Sequence, residues 1–352
     1  MIRPRRAIEQ LGAYRLIREA PVRLNQNESP LDWPDEMKAD VLARLARRPW
    51  HRYPPADGGL LREALGREAG VAPEMIAVTN GSNEAILAVI QAFATGRPVV
   101  LTAPGYSLSR TLVLVGGAEA RPVMLREDFS LDAPAVLREI AASGAAMVYL
   151  TSPNNPTGNR FARRDLEAVL DGAQVPVVVD EAYVQFGGDS LVAALGRYPH
   201  LVVLRTFSKA FALAGARIGW VVAREEVVAA VSKTLPPYTV NLFAQEAALA
   251  ALERGDLVAE RVRLIVRERE RVARALSRLE DVVPFPSETN FILFRTPWPA
   301  AMVFERLLGD GVLVRDVSGQ PLLDRCLRVT IGTPEDNDRF LGALARALED
   351  LR

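Results

Sequence analysis

The sequence predicts an α/β protein: a mostly parallel sheet covered by helices on both faces, joined to a smaller α+β lobe. Three observations carry this reading. Short continuous apolar runs of strand length recur between residues 76 and 223, the pattern of strands buried on both faces of a sheet. Stretches long enough for helices separate most of them, as parallel pairing requires. After about residue 250 the alternation stops, giving way to a long arginine-rich amphipathic segment and shorter strand-like runs.

In chain order, residues 1–35 carry Pro, Arg and Asn with little periodicity, and are expected to form an extended arm with one short helix. Residues 36–250 are expected to form the large domain. Its strands are expected at Ile76 to Thr79, Pro98 to Thr102, Ala145 to Leu150, Val177 to Asp180, Leu201 to Arg205 and Ala216 to Ala223. Helices are expected to begin near Glu84, Leu108, Ala133 and Arg164. Residues 251–352 are expected to form the small domain, completed by the N-terminal arm. There a helix runs from Asp256 to Leu279, and strands lie within Val282 to Phe294 and Val312 to Val329 around a helix starting near Pro299. Helix Glu335 to Leu348 closes the chain. The Pro-rich spot Leu235-Pro236-Pro237-Tyr238 reads as a loop near the junction.

The 352 residues suit two lobes better than one core. Lys+Arg and Asp+Glu each total 43, so no global basic field draws the chain to nucleic acid or to an anionic membrane. A single cysteine, Cys326, lies in an apolar run. It reads as a buried structural thiol and fits a reducing, cytoplasmic setting. The basic Met1 to Arg6 stretch contains Pro4 and is followed by the polar Glu9-Gln10 in place of a signal-peptide apolar run, and apolar runs reach strand length only, so no membrane helix is expected. The two histidines, His51 and His200, sit in no metal-ligand spacing and beside no nucleophile motif.

The residues that carry chemistry gather at strand ends. Val177-Val178-Val179-Asp180-Glu181-Ala182-Tyr183 delivers an acid and a phenol to the end of a buried strand. Lys209, 29 residues beyond Asp180, sits in Thr206-Phe207-Ser208-Lys209-Ala210-Phe211 in a chain with few lysines. An amine to hold an aldehyde and a carboxylate to keep a pyridine nitrogen protonated are the pair that pyridoxal 5'-phosphate (PLP) needs. The competing reading of Lys209 is a solvated surface lysine. Asn80-Gly81-Ser82-Asn83-Glu84 follows a strand and opens a helix, turning backbone N–H groups and the positive helix end toward an anion.

Together with Ser152-Pro153-Asn154-Asn155-Pro156-Thr157-Gly158, these stretches resemble the fold-type I PLP-dependent aminotransferases. Leu24-Asn25-Gln26-Asn27-Glu28-Ser29-Pro30, Arg52-Tyr53-Pro54, Ser287-Glu288-Thr289-Asn290-Phe291 and Cys326-Leu327-Arg328-Val329-Thr330 are similar to motifs of the histidinol-phosphate aminotransferase family, in the same order from about residue 22 onward. The resemblance implies PLP bonded to Lys209, its ring nitrogen facing Asp180, and its phenolic oxygen receiving hydrogen bonds from Asn155 and Tyr183. Its phosphate is implied to lie among Ser82, Asn83, Thr206, Ser208 and Arg217, and Tyr106 to stack on its ring. It also implies a homodimer in which Tyr53 reaches the phosphate of the other subunit. Arg328 and Arg315 are the implied anion grips for substrate, with Asn27 and Tyr14 as further contacts. For Arg315 the competing reading is an edge-strand ion pair with Asp316 or another acid.

The implied reaction is reversible amino transfer between histidinol phosphate and 2-oxoglutarate, giving imidazole acetol phosphate and glutamate, in histidine biosynthesis. Two alternatives share the fold: threonine-phosphate decarboxylase and an aminotransferase for aromatic amino acids. A third, from another class, is a non-catalytic PLP-binding regulatory module, against which stands the filling of every catalytic position.

Overall fold

A computed structural model describes residues 2–9, 11–13 and 18–352. The expected α/β architecture is borne out. Seven strands form the central sheet in the order Ile76–Thr79, Gly219–Ala223, Leu201–Thr206, Val177–Asp180, Met147–Thr151, Pro98–Ala103 and Glu119–Met124. Gly219–Ala223 runs antiparallel to both neighbours, and the remaining pairs are parallel. The central strands are wholly buried. Because side chains alternate across a strand, Val148, Leu150, Val177, Val179 and Val203 enter one core, and Met147, Tyr149, Val178, Val202 and Leu204 enter the other. Each face therefore has its own helical cover, as a doubly covered sheet needs.

A second, four-stranded antiparallel sheet runs Arg315–Asp316, Cys326–Thr330, Phe291–Arg295, Val283–Pro284. The chain's N-terminal stretch is sewn to this region. Val22–Arg23 pairs in parallel with Val312–Leu313. Leu24 then donates its amide to Leu313 and accepts the Thr330 amide, both at 2.8 Å. The 22-residue helix Gly255–Leu276 buries one stripe that includes Val258, Ile265, Val272 and Leu276. On that stripe Arg269 Nη1 donates to the Phe186 carbonyl at 3.1 Å and to the Thr289 carbonyl at 2.8 Å, tying the loop after the Asp180 strand to the Ser287–Asn290 stretch.

The sequence pattern misses one strand and misplaces the start of another. The strand Glu119–Met124 has no counterpart in the apolar pattern, because it is the sheet's edge and leaves most of its side chains in solvent. The strand expected from Ala216 begins at Gly219. A 3-10 turn covers Ala214–Ala216, and the left-handed backbone of Arg217, φ 57°, breaks any extended run there. The Val282 to Phe294 stretch supplies its expected strands as Val283–Pro284 and Phe291–Arg295. Its middle folds onto the Ser152–Gly158 loop, where Glu288 donates its amide to Gly158 O at 2.8 Å. The strands expected within Val312 to Val329 are three short ones, Val312–Leu313, Arg315–Asp316 and Cys326–Thr330. Among the described residues no helix is long and apolar enough to cross a membrane.

Candidate active site

The parallel strands Met147–Thr151, Val177–Asp180 and Leu201–Thr206 all end on one cavity of about 620 Å³. Open α/β sheets bind ligands at this edge, beyond the carboxyl ends of their strands. The N-terminal stretch 25–28 and Arg328 from the second sheet close it from the other side.

One end of the cavity is built for an anion. Gly81, φ 81°, precedes helix Ser82–Phe93, whose first residues Ser82 and Asn83 line the cavity, at the end of a helix where N–H groups have no intrahelical partner. The backbone must be Gly twice here. A Cβ on Gly81 would lie 2.5 Å from Arg217 Nη2, and one on Gly219 would lie 2.5 Å from the Ser82 nitrogen. Arg217 is held by the Ser208 hydroxyl at 3.3 Å and the Ala214 carbonyl at 3.1 Å. The Ser208 amide in turn donates to Thr206 Oγ1 at 3.1 Å.

The floor holds a buried acid and a half-buried amine. Asp180 is 3% exposed. Its Oδ1 accepts the Ala182 amide at 3.0 Å and its Oδ2 accepts the Tyr149 hydroxyl at 2.8 Å. Burial pushes its pKa up to about 6, against the pull of those two donors. Lys209 Nζ donates to the Gln26 carbonyl at 2.9 Å. Burial, then the Arg328 charge, lowers its pKa to about 8. The two groups are tuned in opposite directions, which marks a reaction centre more often than a structural pair.

A chain of side chains links the amine's wall to Arg328. Tyr183 Oη accepts from Asn27 Nδ2 at 2.9 Å and from Asn155 Nδ2 at 3.2 Å. Both lone pairs are thereby used, so the phenol's own proton is left to donate into the cavity. Burial raises the Tyr183 pKa, and the hydroxyl stays protonated. Arg328 Nη1 donates to Asn155 Oδ1 at 2.6 Å and Nη2 to the Asn25 carbonyl at 2.7 Å, above the Phe291 ring at 5.1 Å. Asn27, buried and left-handed at φ 56°, is fixed by Thr330 and Asn290. Tyr106 donates its hydroxyl to Asn83 Oδ1 at 3.0 Å over the mouth.

The cavity thus brings together Ser82, Asn83, Tyr106, Asn155, Asp180, Tyr183, Thr206, Ser208, Lys209, Arg217, Arg315, Arg328 and Asn27. Tyr14 lies outside the described residues. Tyr53 is not brought to its own chain's cavity: it is 80% exposed and stacks on Tyr238 at 4.5 Å. Arg315 forms no ion pair with a described residue, since Asp316 instead accepts from the Ser318 amide and hydroxyl. Sequence reasoning missed Tyr149, the Gln26 carbonyl and the Glu28 carboxylate, which also faces the cavity. Tyr149 alone left a signal, a phenol inside an otherwise apolar strand.

Residues 19–344 match the family model for class I and II aminotransferases. The chain is 37% identical to the histidinol-phosphate aminotransferase of Chlorobaculum tepidum over 97% of its own length and 99% of that relative. It is 38% identical to the Pyrococcus furiosus histidinol-phosphate aminotransferase over 99% and 96%. Among solved structures, the histidinol-phosphate aminotransferase from Sinorhizobium meliloti in complex with pyridoxal-5'-phosphate superposes with a TM-score of 0.89 at 26% identity, covering 100% and 99% of the two chains. The L-threonine-O-3-phosphate decarboxylase from Porphyromonas gingivalis superposes with a TM-score of 0.81 at 27% identity, covering 93% and 99%.

Proposed function

The chain belongs to the class I and II aminotransferase family, and within it we propose a histidinol-phosphate aminotransferase that uses pyridoxal 5'-phosphate. The curated relatives supporting this reading are full-length matches at 37–38% identity. The decisive observation is the cavity itself, where a buried carboxylate, a half-buried amine of lowered pKa and a helix-terminal anion cup line one space.

The residues present fit the cofactor. A Cβ on Gly81 would meet the Arg217 guanidinium at 2.5 Å, so glycine lets that cation close on the start of helix Ser82–Phe93, where a phosphate would lie. Ser82, Asn83, Thr206, Ser208 and Arg217 would hold that phosphate, and Tyr106 would cover the ring. When bound, PLP supplies an aldehyde that takes up the amino group and a ring that accepts the electron pair left at Cα. Asp180 would keep the ring nitrogen protonated, which an acid of pKa about 6 can do as its carboxylate at neutral pH. Asn155 and Tyr183 would donate to the ring's phenolic oxygen. Lys209 has a pKa of about 8, far below an ordinary lysine. A useful fraction of its amine is therefore neutral near pH 7, able to take the proton from the substrate's Cα.

Specificity follows from charge. Lys209, Arg217, Arg315 and Arg328 face Asp180 and Glu28 across the cavity, so positive groups exceed negative ones. A phosphorylated cofactor and an anionic substrate suit that excess. Arg328 and Arg315 would grip the phosphate of histidinol phosphate or a carboxylate of glutamate, with Asn27 and Tyr14 as further contacts. The cytoplasm as setting, and the division into an arm at 1–35, a large domain at 36–250 and a small domain at 251–352, belong to the same proposal.

The proposal includes a homodimer with shared active sites, Tyr53 of one subunit reaching the phosphate in the other. A cluster of exposed aromatics supports it: Trp50 at 64%, Tyr53 at 80%, Phe243 at 47% and Tyr238 at 41% exposure. Trp50 packs against Phe243 at a 60° tilt and Tyr53 stacks on Tyr238, the kind of exposed patch that marks an association site.

A half-reaction panel tests the function. PLP-loaded enzyme is mixed separately with histidinol phosphate, phosphothreonine, phenylalanine and glutamate while the cofactor absorbance is followed. Conversion to the amine form by histidinol phosphate and glutamate, fastest with these two, is expected. Release of carbon dioxide from phosphothreonine would instead favour the decarboxylase, and a preference for phenylalanine an aromatic aminotransferase.

A further inference from the structure

We propose that Tyr149 is a positioning residue of this site: its hydroxyl fixes the Asp180 carboxylate in one orientation and holds it as an acceptor for the cofactor's ring nitrogen. The inference rests on the reading of Asp180 as the partner of that nitrogen.

The sheet register makes the contact possible. Tyr149 pairs with Val178, and Thr151 with Asp180, in parallel strands. Paired residues point to the same face, and so do alternate residues along one strand. Tyr149, Thr151, Val178 and Asp180 therefore share a face. The Tyr149 ring packs in the core with Val178 and Val202, and its length carries the hydroxyl one dipeptide step along the sheet to Asp180 Oδ2 at 2.8 Å. Thr151 Oγ1 stands 3.4 Å from the same phenol oxygen.

A phenol at this depth must find a partner, and here the partner is the acid at the cavity floor. A carboxylate has about four acceptor positions. The Ala182 amide occupies one on Oδ1 and Tyr149 one on Oδ2, which sets the carboxylate plane and leaves positions for the ligand. Other charged or titratable groups near the pair are Lys209, Glu181, Tyr106 and Tyr183. Glu181 is turned away, held by Arg205 at 3.0 Å and by the Leu191 amide. Burial and the Asp180 charge raise the Tyr149 pKa, so the phenol remains a donor throughout the working range.

The test compares Tyr149→Phe with wild type in the full-length protein. Phe keeps the ring's packing and removes only the donor. Three readouts are taken: the dissociation constant for PLP, the pH titration of the Asp180 carboxyl by infrared difference against Asp180→Asn, and kcat and KM of the reloaded enzyme. Loss of one hydrogen bond to a charged group is expected to weaken PLP binding about tenfold and to raise the Asp180 midpoint by about one pH unit. kcat should fall while KM changes little. Incorporating 3-fluorotyrosine at position 149, a stronger donor of nearly the same size, should move the midpoint the other way. Affinity within twofold of wild type and an unmoved titration in Tyr149→Phe would overturn the proposal, even if kcat fell. If Asp180→Asn itself bound PLP and turned over like wild type, the reading of Asp180 would fail first, whatever Tyr149 did.

Discussion

At the scale of single residues, the site sets chemistry against stability. Asp180 is a buried acid with pKa raised from 3.8 to about 6. Between those values the folded chain binds the proton more tightly than the unfolded chain. Its stability contribution is therefore complete below about pH 4 and is lost as pH rises through about 6. Lys209 runs the other way: with its pKa lowered from 10.5 to about 8, the folded chain gains stability as pH rises from about 8 toward 10.5. Asp180→Asn should thus stabilise the cofactor-free chain at pH 7.5, by up to about 3 kcal/mol, with the gain vanishing near pH 4. Denaturant melts at the two pH values measure it, and a loss of stability at pH 7.5 would contradict the assigned burial cost. Lys209 and Asp180 were legible in the sequence because their types and spacing match a known chemistry. The Gln26 carbonyl was not, since any residue supplies a carbonyl and only the fold directs it to Nζ. Glu28 was passed over because nothing in its local motif says which way it faces.

At the scale of elements, apolar runs located the buried strands because burial on both faces demands them. The same rule is blind at the edge, where Glu119–Met124 pairs on one side only and exposes polar side chains. It also overextends runs that the backbone interrupts, as at Arg217. The strand-to-helix turn at Gly81 was legible as a sequence of small and capping residues, but its dependence on Arg217 was not. That dependence is testable. Gly81→Ala places a Cβ against the guanidinium and Gly70→Ala places one in open space, both at positive φ. Gly70→Ala, at φ 68° and ψ 32°, should cost about 1 kcal/mol of stability from backbone strain, and Gly81→Ala, at φ 81° and ψ 163°, about 1–3 kcal/mol. Only Gly81→Ala should also weaken PLP binding, by tenfold or more, as read by equilibrium titration. Equal affinities in the two variants would remove the anion cup from Gly81.

At the scale of the whole molecule, the cavity is assembled from distant parts of the chain: arm residues Asn25, Gln26 and Asn27 touch Arg328, Lys209 and Tyr183 respectively. The order of motifs in the sequence made that convergence legible, whereas the contacts themselves depend on strand pairing that no local pattern encodes. The proposed dimer adds a further part. If Tyr53 serves the neighbouring subunit, exchange between Lys209→Ala and Tyr53→Ala dimers should yield heterodimers with one intact site, and activity above the sum of the parents. Exchange without recovery, given a severely impaired Tyr53→Ala parent, would contradict sharing. The central claim, that this cavity is the cofactor site and Lys209 the residue bonded to it, has a still more direct test, because the entire chain contains only three lysines: Lys38, Lys209 and Lys233. Lys38 is paired with Asp32 at the surface and Lys233 is exposed beyond a helix end. Borohydride reduction of the PLP-loaded enzyme, followed by peptide mapping, should place the pyridoxyl group on Lys209 alone and on none in Lys209→Ala; a label on Lys38 or Lys233, or an unlabelled Lys209, would contradict it.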